Sequence, residues 1–128
     1  MPGHQLPLEK VKELLDDAKT GGIERVRLYG GEPLLHPQLP DMIRHSVNLG
    51  LSTHINTNGI LLKQKIDGLY EAGLRGITIG FYGTADAYDA YVQRSDRYGR
   101  LEKSIATVRD RYGAEMSMRL NFLLMRPS

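Results

Sequence analysis

Helical spacing and strand alternation take turns along the whole chain, and that rhythm narrows the fold more than any other feature. Leu8, Val11, Leu14, Leu15 and Ala18 share one stripe, which predicts a helix over Pro7 to Thr20, stopped by Gly21-Gly22. Ile23 to Tyr29 follows as a strand. A second helix runs from Leu39 to Leu49, with Leu39, Met42, Ile43 and Val47 inward and Gly50 as its stop. Leu51 to Thr57 alternates as a strand does: Leu51, Thr53, Ile55 and Thr57 point one way, Ser52, His54 and Asn56 the other. Lys63 to Ala72 is a third helix with Ile66, Leu69 and Tyr70 inward, and Arg75 to Tyr82 is a third strand. Thr84 is the N-cap of a short helix, Ala85 to Gln93, and a polar loop from Arg94 to Gly99 follows. The last helix, Arg100 to Tyr112, carries Leu101, Ile105, Val108 and Tyr112 on its apolar stripe. Glu115 to Met125 is the final strand. Strands separated by helices of this length argue for βαβ units, an α/β fold with a parallel sheet, and sequence neighbours adjacent in space.

The loops between these elements carry the chemistry. Arg25 to Pro37 reads Arg-Val-Arg-Leu-Tyr-Gly-Gly-Glu-Pro-Leu-Leu-His-Pro. It is a strand that empties into a Gly-Gly turn, then an acid and a proline. Glycine accepts φ > 0 and lets another group come close to the backbone. Glu32 then leaves the carboxyl end of the strand, the end where α/β folds bind ligands. Ordinary turn chemistry is the competing reading for Gly30-Gly31, and equally for Asn56-Thr57-Asn58-Gly59. Asn58-Gly59 stands before a helical pattern, so it reads as a βα loop and not as a hairpin.

Three stretches in order resemble the radical S-adenosylmethionine (radical SAM) family. They are Tyr29-Gly30-Gly31-Glu32-Pro33-Leu34-Leu35, then Ile55-Asn56-Thr57-Asn58-Gly59, then Ile79-Gly80-Phe81-Tyr82-Gly83 with Ala87-Tyr88-Asp89 and Leu123-Leu124-Met125. The third resembles the branch of peptide- and sulfatase-maturing enzymes. The resemblance spans roughly residues 7 to 128 and implies part of a (βα)6 partial TIM-like barrel. It implies a [4Fe–4S] cluster on a Cys-x3-Cys-x2-Cys loop that reduces S-adenosylmethionine. The 5′-deoxyadenosyl radical so formed abstracts a substrate hydrogen, which is oxidoreductase-type chemistry. By resemblance, the backbone at Gly30, Gly31 and Glu32 meets the cofactor's methionine ammonium. Thr57 and Asn58 hydrogen-bond its ribose or carboxylate, and Asn121 on the last strand is a further contact. Gly80 stands where many relatives carry a cofactor-contacting serine. Arg119 shares that last strand and could pair with a carboxylate, against the plainer reading of a solvated edge charge.

The chain has no cysteine. That rules out disulfides, thiolate zinc sites and cysteine-held clusters within these 128 residues. His4, His36, His45 and His54 lack ligand spacing, so no metal site is expected. The expectation is one partial domain over residues 1–128, the core of a radical SAM enzyme without its cluster loop and inactive by itself. Formal net charge is only +2, with Lys and Arg dispersed. Nucleic acid is therefore not an expected partner. No stretch is long and apolar enough for a membrane span, and Met1 to Leu8 lacks the pattern of a signal peptide, so the cytoplasm is the expected location. The substrate is open, a peptide being one candidate. Two other classes remain in view. One is a cluster-free module that binds a peptide, a partner or its own copies through an exposed sheet edge. The other is an unrelated βα enzyme using Glu32 as acid or base.

Overall fold

The computed structural model describes residues 6–30, 32–81 and 95–122. Within them lie helix α1 (Leu8–Thr20), strand β1 (Arg25–Leu28), α2 (Leu39–Asn48), β2 (Ser52–Thr57) and α3 (Leu62–Ala72). Then come β3 (Gly76–Phe81), α4 (Ser95–Tyr112) and β4 (Ser117–Phe122). The expected helix Ala85 to Gln93 and the far end of the last strand fall outside the described residues.

The four strands form one sheet in the order β1-β2-β3-β4, every pair parallel. This is the α/β, consecutive-neighbour arrangement that the patterning predicts. The register sets rows across the sheet. Leu28, Ile55, Ile77 and Met118 lie in one row, and Arg27, His54, Gly76 and Ser117 in the row before it.

Among the described residues, helices cover only one face. Leu28 and Met118 pack against the buried cluster that Ile55 and Ile77 share with Leu39, Ile43, Leu62, Ile66, Leu69, Leu101 and Val108 of α2, α3 and α4. Val11 and Leu15 of α1 close a smaller cluster with Met42, Leu51 and Val26. Each fully buried aliphatic side chain contributes about 1.5–3 kcal/mol through removal from water. A doubly wound sheet would carry helices on both faces. One-sided cover with parallel neighbours is the arrangement of a barrel wall.

Three local expectations differ. Leu14 is 58% exposed although it shares the stripe of α1, because Val11 and Leu15 are the positions aimed at α2 and the sheet. Residues 95–99, read as a loop, are the first turns of α4. They show no apolar period, but Ser95 and Asp96 suit a helix start, and the packed turns downstream carry Gly99 at a cost of about 1 kcal/mol. Glu115 belongs to a 3-10 turn, Gly113–Glu115, and not to β4.

On the outer side, Tyr70 of α3 stacks on Tyr112 of α4 with centroids 4.1 Å apart, and Arg75 lies over the Tyr70 ring at 3.8 Å. The Tyr112 hydroxyl donates to Asp67, which holds that phenol's pKa up at about 12. Arg111 reaches the same carboxylate at 2.7 Å. No described helix is long and apolar enough to cross a membrane.

Candidate functional site at the carboxyl end of the sheet

Glu32 leaves β1 through Tyr29 and Gly30. Gly30 has φ +105°, a conformation that L side chains rarely adopt, so the sharp exit from the strand depends on glycine. Gly31 lies outside the described residues. Past Glu32 the chain makes a 3-10 turn, Pro33–Leu35, with proline at its first position and Glu32 as its cap. The Leu34 amide donates to Glu32 Oε2 at 3.0 Å. Leu34 itself is buried in the core, which anchors the turn.

The same carboxylate reaches the next loop. Thr57, last residue of β2, donates its hydroxyl to Glu32 Oε2 at 2.6 Å, and the Asn58 amide donates to Oε1 at 2.9 Å. Thr57 Oγ1 in turn accepts from the Gly59 amide at 3.1 Å, and Asn58 Oδ1 accepts from the Ile60 amide at 3.0 Å. Glu32 thus receives three donors from two loops, most of what two carboxylate oxygens can accept. It clamps the rims of β1 and β2 together.

A second brace comes from far along the chain. Ser104 of α4, fully buried, donates to the Ile60 carbonyl and accepts from the Lys63 amide, both at 3.1 Å. It therefore satisfies one of the open amides at the start of α3. Nothing local to the Thr-Asn-Gly loop foreshadows this contact.

Of the six residues predicted to meet the cofactor, Glu32, Thr57 and Asn58 are brought together, with Gly30 at the start of the same loop. Asn121 is not part of that cluster. It is paired in register with Gly80 across β3 and β4, at the same end of the sheet but two strands from β2. The hydrogen bonds assign Thr57 and Glu32 to each other, so they form the rim's frame, and the backbone of the Gly30 turn stays at its edge.

The uncovered face of the sheet is the part that motif reading passed over. It carries Arg25 and Arg27 from β1, Ser52, His54 and Asn56 from β2, Gly76, Thr78 and Gly80 from β3, and Ser117, Arg119 and Asn121 from β4. No carboxylate stands among these strand positions. Burial first, then the positive charges of Arg27, Arg119 and Arg25, hold the His54 imidazole below its ordinary 6.5. Asn56 Oδ1 is buried and has no hydrogen-bond partner among the described residues. The signal for this face was present in the strict alternation of β2, whose polar half had no assigned partner.

The model of the Radical SAM superfamily matches residues 1–124. The chain belongs to the radical SAM superfamily. Relatives named GTP 3′,8-cyclase match it. That of Chlorobaculum tepidum is 32% identical over 126 residues, covering 95% of this chain and 37% of its own length. GTP 3′,8-cyclase 1 of Mycobacterium tuberculosis is 36% identical over 80 residues, 58% of this chain and 22% of that protein. The Helicobacter pylori protein is 28% identical over 123 residues, 94% and 37% respectively. The chain thus spans little more than a third of the relatives it matches most fully. These relatives bear a name different from that of the peptide- and sulfatase-maturing branch.

Membership implies S-adenosylmethionine and a [4Fe–4S] cluster for the family's chemistry. The two do not fit this chain equally. The whole chain has no cysteine, and no group of three or more metal-binding side chains occurs among the described residues, so these residues do not hold the cluster. The rim does fit a cofactor with a cationic end, because a carboxylate and a glycine turn lie together at the mouth of parallel strands.

Proposed function

We propose that this radical SAM chain supplies the cofactor rim and part of the substrate wall of an enzyme acting on a nucleotide. In this reading the [4Fe–4S] cluster is held by cysteines outside these 128 residues, and the chain alone is inactive. The observation that carries the reading is the pairing of the Glu32 clamp with a carboxylate-free face bearing three arginines. When bound, the cofactor and cluster supply hydrogen-abstraction chemistry. This chain's residues bind and orient. The Gly30 turn and Glu32 lie toward the cofactor's ammonium, and Thr57 and Asn58 hold Glu32 in place. Asn121 lies toward the cofactor from the other side of the mouth. Arg25, Arg27 and Arg119 face an anionic substrate, for which the name of the relatives supplies the example of GTP. Guanidinium groups suit phosphate because their donors match its oxygens in pairs.

Calorimetry tests both halves. S-adenosylmethionine binds the 128-residue chain weakly or undetectably, since half of its site lies elsewhere; sub-micromolar binding overturns that division of the site. GTP binds at low ionic strength, and Arg27→Gln with Arg119→Gln weakens it by tenfold or more. Equal affinity in that double variant removes the face from the substrate site.

A second reading rests on the apolar residues left bare along the β1 side. Ile23 is 50% and Tyr29 73% exposed, on either side of β1 in the chain. An unpaired strand edge with apolar neighbours invites strand addition by a further segment, a peptide or a second copy. Light scattering after size exclusion decides the self-pairing version, which a strict monomer at all concentrations excludes.

A further inference from the structure

Among the described strand positions of the arginine-bearing face, His54 is the one titratable side chain other than the arginines themselves, and its seat is built for it. A Cβ at Gly76 would lie 2.2 Å from both Cδ2 and Nε2 of the ring. The imidazole therefore occupies the space above β3 that only glycine leaves open. It lies in the same row as Arg27 and Ser117. Arg25 stands two residues back on β1, and Arg119 lies beyond Thr78 on the far side. Ser52, Asn56 and Thr78 are its uncharged neighbours on this face. Glu24 and Glu115 precede β1 and β4 at the amino-terminal end of the sheet, the end at which the His54 row lies, and Glu115 accepts from Tyr70. Glu32 is taken up in the rim clamp.

We propose that His54 is a proton-linked ligand of the substrate's phosphate chain, taking up a proton from solvent as the anion settles among Arg25, Arg27 and Arg119. The inference rests on the reading of that face as the anion site. The physical basis is the reversal of sign in the local field. In the empty face, three guanidinium groups and partial burial oppose a fourth positive charge. A di- or triphosphate brings more negative charge than one arginine can offset. The imidazolium form then gains an opposite charge at close range and offers both ring N–H groups as donors. No covalent bond forms; one proton moves from solvent to the ring. The linkage makes tight binding and proton uptake a single event.

The probe is inorganic tripolyphosphate, titrated calorimetrically at pH 6, 6.5, 7 and 8 in pairs of buffers with different ionisation enthalpies. The expected result is net proton uptake by the protein between pH 6 and 7, and affinity that falls by up to about tenfold per pH unit through the region of uptake. His54→Gln loses the uptake. It binds several-fold more weakly than the native protein at pH 6 and equally at pH 8, so the ligand's own titration cancels in the comparison. Gly76→Ala, which displaces the ring and leaves every charge in place, loses the uptake as well. Native-like unfolding midpoints for both variants at pH 8 separate these effects from misfolding. Binding with the same proton count in native protein and His54→Gln overturns this inference and leaves the anion face standing. Absence of tripolyphosphate binding at any pH overturns the anion face and the inference with it.

Discussion

Along one row of the sheet, on the helix-covered face, stand Leu28, Ile55, Ile77 and Met118; one residue earlier, on the opposite face, stand Arg27, His54, Gly76 and Ser117. The first row is packed under three helices and its two central residues are essentially sealed from water. The second has no helix over it among the described residues. Parallel strands buried on both faces read as continuous apolar runs. β1 and β2 alternate instead, as antiparallel strands do when one side meets water, whereas in β3 the polar-face positions Gly76, Thr78 and Gly80 are themselves buried. A parallel sheet that keeps one face polar has reserved that face for something other than packing. Here the carboxyl-end rim of that face is tied by Glu32.

The contrast predicts opposite consequences for neighbouring positions. Ile77→Ala empties a sealed site in the core and should cost about 2–5 kcal/mol in urea unfolding. Arg27→Ala, one row earlier on the opposite face and two strands away on β1, should stay within about 0.5 kcal/mol of the native protein while weakening anion binding. A large stability loss in the arginine variant would show that the open face is packed after all.

Next in size is the rim. Glu32→Ala leaves the Thr57 hydroxyl and the Leu34 and Asn58 amides without their acceptor, a loss of about 1–3 kcal/mol. Faster hydrogen exchange at the Leu34 and Asn58 amides should accompany it. Glu32→Gln, which keeps one acceptor oxygen, should lose less. Unchanged exchange at Asn58 in Glu32→Ala would dissolve the clamp.

The smallest effect is a pH dependence of the empty protein. The folded state holds the His54 proton less tightly than the unfolded chain, whose imidazole has its ordinary 6.5. The unfolded state therefore binds more protons below that value, and stability falls as pH drops through 6.5. Above it the contribution is fully present. His54→Gln should flatten this part of the stability profile, and Arg27→Gln should flatten it partly, by removing one of the charges that oppose protonation. A profile identical in all three proteins would mean that the arginines do not reach the ring.

Much of this was legible one residue at a time. Periodicity located the helices and strands, because a side chain's face is set by local geometry, 3.6 residues per turn or two per repeat. The Gly-Gly-Glu turn and the Thr-Asn-Gly loop were visible as motifs, and their meeting was inferable from parallel, consecutive strands. The helical start of 95–99 was not, since nothing apolar repeats there and packing downstream supplies the stabilisation.

Sequence alone therefore determined the order of the described helices and strands, the parallel sheet, the family, and the absence of thiolates for a cluster. Only tertiary structure decided which carboxylate oxygen receives which donor, that Ser104 braces a loop more than forty residues away, and that Gly76 makes room for His54. The reason is range. Local conformation follows from neighbours in the chain, whereas hydrogen bonds, close contacts and charge fields depend on distances through space, and strand register sets those distances.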